Sequence, residues 1–423
     1  MYLLVIQQMS RPNGENIATS VPHRSNEFGK GFRTRDLRCI FGKRGRRGRV
    51  SAQRKAGSTQ RNTTQAALFG DAFERDSRML PVIGEQKDIR YYRQYSKSVL
   101  NRPETTGMGF WSINPYVGCA FGCAYCYARY THRYVMERAA GDDRMEQVLT
   151  ERYEAMPPWL AFERNIFVKH NAPEVLARTL RQGSERHLAL LRGETIVIGT
   201  ATDPYQPAER RFRVTRQILE VLAEHPGLKV TIISKSPLIT RDIDLLSRIN
   251  RHSELCIHLS LITLRRDLAR KLEPRSPTPE SRVRALARLR EAGIDAGINC
   301  MPVLPGITDN PNDLEGLVKR VSEAGATYVA ACALRLRSSA RKRYLPFIAQ
   351  EFPHLEERYR NTYAYGHQAG DRYRKGLASF WAKLCRKYDV PGWSNTANEE
   401  GDEALDEHPT PPEQLLLPFL SQD

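Results

Sequence analysis

Between residues 195 and 336, short apolar runs alternate with stretches of helical period, and no other feature restricts the possible folds so severely. "TIVIGT" (195–200) is a continuous β-branched run without polar alternation, as expected for a parallel strand covered on both faces. A helix follows with Val214, Ile218, Val221 and Leu222 on one stripe, ending before Pro226-Gly227. "LKVTIIS" (228–234), a helix over about 238–250 and "LCIHLSLI" (255–262) come next. A helix bearing Val283, Leu286 and Leu289 stops at Gly293, then "DAGINCMPVLP" (295–305), a helix near 311–324 and "TYVAACALRL" (327–336) complete the series. With "NIFVKH" (165–170) and its helix, the chain offers about six β/α units. Repeated βαβ units require a parallel sheet with right-handed crossovers. The expectation is an α/β fold, a partial (β/α)6 TIM-like barrel with its chemistry at the C-terminal strand ends.

Just before this series, "GCAFGCAYCYARYTH" (118–132) gathers Cys119, Cys123 and Cys126 in a C-x3-C-x2-C spacing. Gly118 and Gly122 let the backbone curl, and Cys123 and Cys126 would share one face of a helical turn. Crowded soft thiolates select zinc or an iron–sulfur cluster. Structural zinc needs four protein ligands, and His132 is the near candidate for the fourth. A [4Fe–4S] cluster on three thiolates instead leaves one iron open. Three packed cysteines with no metal are the third possibility.

Charge suggests a polyanionic partner. The chain has 65 Lys+Arg against 48 Asp+Glu, a formal +17, which suits nucleic acid. Residues 1–64 are Gly/Arg/Ser-rich without apolar period and read as an unfolded basic extension, or as a start codon assigned too far upstream. Residues 65–105 form a lead-in, 106–337 the barrel core, 338–395 a basic helical region and 396–423 an acidic tail. No stretch approaches the roughly 18 apolar residues that span a membrane, and "MYLLVIQQMS" lacks the basic start of a signal peptide. Five of the eight cysteines are scattered singly, which argues against a disulfide framework and for a reducing cytoplasm.

The loop C-x3-C-x-aromatic-C, with Tyr125 as the aromatic, resembles the signature of the radical S-adenosylmethionine (SAM) superfamily. That resemblance implies one [4Fe–4S] cluster, whose open iron is chelated by the amino and carboxylate groups of SAM. An electron from a donor such as flavodoxin or ferredoxin then splits SAM to methionine and a 5′-deoxyadenosyl radical. Within the family, residues 110–310 most resemble the spore photoproduct lyase-like branch, through "YCYARYTH", "GTATDPYQPAERRFRVTRQILEVL", "ISKSPLITRDIDLL", "HLSLITL" and "EPRSPTPESRVRALARLREAG" in order. Thr202 and Asp203 then match residues facing the SAM amino end, Lys235 the cation near its carboxylate, and Ser260 a ribose contact. Tyr125 and Tyr127 match tyrosines that line the lyase site and take part in radical transfer. Each also has an ordinary reading: Asp203 as a helix cap, Lys235 as a solvated loop lysine, Ser260 bonded to local backbone, the tyrosines as packing aromatics. One departure stands out. Spore photoproduct lyase carries its hydrogen-donating cysteine two residues before this Asp, and here that position is Ala201. Cys256, Cys300 and Cys332, on predicted strands, are the candidate substitutes, although buried structural cysteine is the commoner fate.

The implied function is radical repair or modification of DNA. Its rivals are radical modification of RNA, a peptide or a small molecule, and, outside enzymes, a zinc-bearing nucleic-acid-binding protein. "QLLLPF" (Gln414–Phe419) resembles the peptide by which bacterial DNA enzymes attach to the replication sliding clamp, with Leu415, Leu417 and Phe419 entering a hydrophobic pocket. The alternative is a tail whose leucines pack back on the barrel. In 338–395, Tyr, Phe and Trp interleave with Arg and Lys, which fits either base stacking or an amphipathic cap.

Overall fold

The computed structural model describes residues 82–86, 88–132 and 156–394. The basic extension 1–64 and the acidic tail 396–423, with the clamp-like peptide Gln414–Phe419, lie outside the described residues. Along the chain, β1 (Val82–Gln86), β2 (Ile89–Gln94), β3 (Leu100–Asn101), β4 (Trp111–Ile113), β5 (Tyr116–Val117) and β6 (Asn165–Lys169) come first. β7 (Thr195–Ile198), β8 (Lys229–Ser234), β9 (Glu254–Ser260), β10 (Asp295–Val303), β11 (Val329–Ala333) and β12 (Gly392–Ser394) follow.

The larger sheet runs β3-β4-β7-β8-β9-β10-β11-β12. Every pair from β4 to β12 is parallel, and only β3 runs antiparallel, against β4. β4 and β7–β11 are the six strands of a partial TIM-like barrel. Helices Val214–Ala223, Ile243–His252, Pro279–Glu291 and Pro311–Glu323 make the crossovers. All four residues of β7 are buried, as its unalternated sequence requires. The helix expected before Pro226 is broken in two, Pro207–Phe212 and Val214–Ala223, because Arg213 adopts a left-handed conformation (φ 52°).

One sequence expectation is corrected. "NIFVKH" is not a barrel strand: as β6 it pairs parallel with β2 and antiparallel with β5 in a separate four-stranded sheet, β1-β2-β6-β5. An apolar run declares burial, and Ile166, Phe167 and Val168 are indeed buried, but it does not name the partner strand. The barrel opens with β4, whose three residues lead straight into the cysteine loop.

The basic region after β11 folds as helices Ser338–Glu351, Glu356–Thr362 and Asp371–Lys387. Tyr344, Tyr359, Tyr363, Tyr373 and Trp381 are fully buried. Four of them reach the barrel: Tyr359 donates to the Pro305 carbonyl at 2.8 Å, Tyr363 to the Leu334 carbonyl at 3.1 Å, Tyr373 to Asp309 at 3.0 Å and Trp381 to the Val329 carbonyl at 3.1 Å. These aromatics therefore make an amphipathic cap on the barrel. Among the described residues, no helix is long and apolar enough to cross a membrane.

Candidate active site

At the C-terminal strand ends, one pocket is lined by Cys119, Cys123 and Cys126 together with Tyr127, Thr202, Asp203, Lys235 and Ser260. The loop that brings the thiols there is fixed from three sides. Gly118 has φ +86°, and a Cβ on it would stand 2.8 Å from the Phe162 carbonyl oxygen, so the first bend needs glycine. Cys119 N–H donates to that same carbonyl at 2.9 Å. Gln206, wholly buried, accepts from Ala120 N–H at 2.9 Å and donates to the Gly118 carbonyl at 3.1 Å. The segment after β9 holds the far side. Ala124 N–H donates to the Leu272 carbonyl at 2.9 Å, and the Arg275 side chain donates to the Ala120 carbonyl at 2.6 Å.

Burial pushes all three thiols up. Cys123 rises to about 12 although Lys235 pulls the other way. Cys119 also rises well above its ordinary value, with Asp203 and the other two cysteines adding to burial, and Cys126 rises against the pull of Arg129. Three thiolates here would repel one another and lack water, a penalty that a cationic, thiophilic centre removes. Among the described residues, no three His, Cys, Asp or Glu side chains converge as a single ion would require. Three thiols on the wall of one cavity are a soft donor set, and that chemistry fits an iron–sulfur group. His132, the candidate fourth zinc ligand, is not among the pocket-lining residues. Its Nε2 lies 2.9 Å from the Asn165 carbonyl, its ring packs on Phe162 and Phe167, and burial takes its pKa down to about 4.

The other expected residues take distinct places. Asp203 accepts from Tyr205 N–H (2.9 Å), the Ser234 hydroxyl (2.7 Å) and Lys235 N–H (2.7 Å), so it brackets the ends of β7 and β8 while lining the pocket. Burial raises its pKa against those hydrogen bonds. Thr202 donates to the Gly118 carbonyl at 2.5 Å and accepts from Gln206 at 2.9 Å. Ser260 closes β9, and Lys235 Nζ stands 5.8 Å over the Tyr125 ring and 3.9 Å from Glu273. Tyr125 is buried and donates to Glu273, whereas Tyr127 lines the pocket with its hydroxyl on the Thr200 carbonyl. Ala201 sits in a turn pinned by Asn114, which accepts its N–H at 2.8 Å. Cys256 and Cys332 pack with Met301, Tyr328 and Ala330, Cys300 lies fully buried, and none of the three lines the pocket.

Sequence reasoning passed over Gln206, Glu273 and Arg282. Glu273 and Arg282 form a buried ion pair beside Lys235. Burial opposes the charge on Glu273, but Arg282 and Lys235 outweigh it and hold the carboxyl below its usual range.

Known proteins bear on this geometry in three ways. Residues 113–320 match the family model described as the Radical SAM superfamily. An uncharacterized protein of Mycobacterium tuberculosis is 32% identical over 319 residues, 75% of this chain and 86% of that protein. An uncharacterized protein of Methanocaldococcus jannaschii is 28% identical over 197 residues, 47% of this chain and 61% of its own length. Among solved structures, a spore photoproduct lyase mutant with bound AdoMet and dinucleoside spore photoproduct aligns with a TM-score of 0.53 at 12% identity. The alignment covers 78% of this chain and 93% of that one, a likeness of fold. With the family model covering the cysteine loop and the barrel from β7 through β10, and the mycobacterial relative matched over most of its length, this chain belongs to the radical SAM superfamily of enzymes.

Proposed function

We propose that the protein holds a [4Fe–4S] cluster on Cys119, Cys123 and Cys126, binds SAM at the iron they leave open, and acts on DNA in the manner of a repair lyase. The observation that carries this reading is the sharing of one pocket by three thiols and by Thr202, Asp203, Lys235 and Ser260. Bound there, cluster and SAM supply one-electron cleavage of a sulfonium C–S bond to a carbon-centred radical. The protein's own groups orient and shield. The Lys235 ammonium suits a ligand carboxylate, the remaining acceptor capacity of Asp203 suits an ammonium, and the Ser260 hydroxyl suits a ribose. Phe121, Phe162 and Ile233 give the pocket an apolar wall that excludes water. Tyr127, exposed at its edge, is the phenol placed to pass a hydrogen atom to or from a substrate; Tyr125 is held back against Glu273. The net charge of +17 and the lyase-like fold support a nucleic-acid substrate, with DNA favoured, and the electron comes from a donor of flavodoxin or ferredoxin type.

The test is anaerobic cluster rebuilding followed by a strong reductant and SAM, measuring 5′-deoxyadenosine, with Cys123→Ala as control. Product from the wild type alone supports the reading; no product together with stoichiometric zinc overturns it. Ultraviolet-damaged DNA, RNA and peptide are then compared as accelerators of SAM loss, and acceleration by RNA or peptide alone removes the DNA assignment. Tyr127→Phe should take up the full cluster yet change the yield of substrate-derived product.

A further inference from the structure

We infer that Glu273 is a positioning residue for SAM: one buried carboxylate seats the Lys235 ammonium and the Tyr125 hydroxyl, while Arg282 cancels its charge. The inference rests on the pocket being the SAM site. Glu273 and Arg282 are each 1% exposed at the side chain. Glu273 Oε1 accepts from the Tyr125 hydroxyl and lies 3.9 Å from Lys235 Nζ, and Oε2 accepts from Arg282 Nη2. Arg282 Nη1 donates to the Ser260 carbonyl at 3.0 Å, and its other donors meet the Pro277 carbonyl at 2.8 and 3.1 Å. One carboxylate thus joins the cysteine loop through Tyr125, the end of β8 through Lys235 and the end of β9 through Arg282.

The charge count gives the arrangement its use. Lys235 and Arg282 bring two positive charges and Glu273 one negative, so these three groups together keep a single positive charge for a ligand carboxylate. The short contacts of Glu273 go to Tyr125 and Arg282. The Lys235 ammonium, 3.9 Å from Oε1, makes the longest of the three contacts of Glu273. Without Glu273, Lys235 would face an unneutralised guanidinium, and like-charge repulsion would drive the flexible ammonium from the pocket.

The experiment uses the full chain with rebuilt cluster. Iron content is counted, and SAM binding is measured by equilibrium dialysis without reductant, so that no turnover occurs. Glu273→Gln, Lys235→Met and the double variant are compared with wild type. Glu273→Gln should keep its iron and bind SAM about tenfold more weakly, and that factor should vanish when Lys235 is already Met. The inference is overturned if Glu273→Gln binds SAM as wild type does, loses iron in proportion, or weakens binding equally in both backgrounds. Should Glu273→Gln not fold, Glu273→Gln with Arg282→Met removes the buried pair together. That variant loses the seat but leaves no guanidinium to repel Lys235, so it should bind SAM about threefold more weakly than wild type, and unchanged affinity overturns the inference. A wild type that takes up neither iron nor SAM overturns the SAM-site reading itself; one that binds both while the variants match it overturns only the role of Glu273.

Discussion

Gln206→Leu offers a quantitative trial of the seat beneath the cysteine loop. The substitution nearly conserves volume at a fully buried position and removes an amide that bonds Ala120 N–H, the Gly118 carbonyl and the Thr202 hydroxyl. The Gly118 carbonyl still accepts from Thr202 at 2.5 Å, so losing its second bond costs about 0.5–1.5 kcal/mol. Ala120 N–H is left with no acceptor in the interior, which costs about 1–3 kcal/mol. Better burial of a leucine side chain offsets part, leaving a net loss of about 2–3 kcal/mol. Urea denaturation of the metal-free protein measures this, and resistance of the rebuilt cluster to a chelator should fall in parallel. Thr202→Val adds a sharper condition. Either single change leaves the Gly118 carbonyl one donor, but the double variant leaves none. The double should therefore cost about 1 kcal/mol more than the sum of the singles. A Gln206→Leu cost below about 0.5 kcal/mol, or strict additivity, refutes the clasp.

Three further outcomes are expected. Burial takes His258 down to about 3, whereas in the unfolded chain it titrates near 6.5. Below pH 6.5 the unfolded state therefore binds a proton that the native state does not, and stability is lost as pH falls toward 3, at about 1.4 kcal/mol per unit. His258→Leu should lose about 2 kcal/mol less than wild type between pH 6.5 and 5 in urea titrations, and parallel profiles would contradict this. Arg129→Met leaves Glu163, which Arg129 meets at 2.5 Å in a buried pair, only the longer contact to Arg275 at 3.9 Å, and should cost about 3 kcal/mol by denaturation; adding Glu163→Gln should recover part of that. Cys332→Ala should leave 5′-deoxyadenosine formation unchanged, since Cys332 packs with Met301 and Tyr328 outside the pocket; a fall in rate would reinstate it as a hydrogen donor.

The β/α series from β7 to β11 was legible because its strands are unalternated apolar runs and each helix keeps an apolar stripe. β4 escaped because three residues cannot display a period, and its place went to the stronger run of β6. The thiols stand out by their spacing, Thr202, Asp203, Lys235 and Ser260 come from the resemblance of their segments to a family, and all line one pocket. Gln206, Glu273 and Arg282 could not be read. Their partners lie up to 148 residues away, and no local pattern separates a buried arginine from a solvated one. In "SRVRALARLR" the buried Arg282 shares its helix with the exposed Arg284 and Arg288, and what sets it apart is that it faces Glu273 and Ser260. A polar residue next to the apolar stripe, one position before Val283, was the available hint.

The struts across the cysteine loop also set an order of assembly. Arg275, which holds the Ala120 carbonyl, follows it by 155 residues, and Ser276 stands 3.8 Å from Cys123 Sγ across 153. A ribosome that has delivered the three cysteines needs roughly ten to thirty seconds more to deliver their clasp. Until then the loop lacks its far-side support, although Phe162 and Gln206 are there to hold it. Iron delivery is therefore expected to act on a nearly complete chain, and a fragment ending before residue 272 should carry every thiol ligand yet retain no cluster.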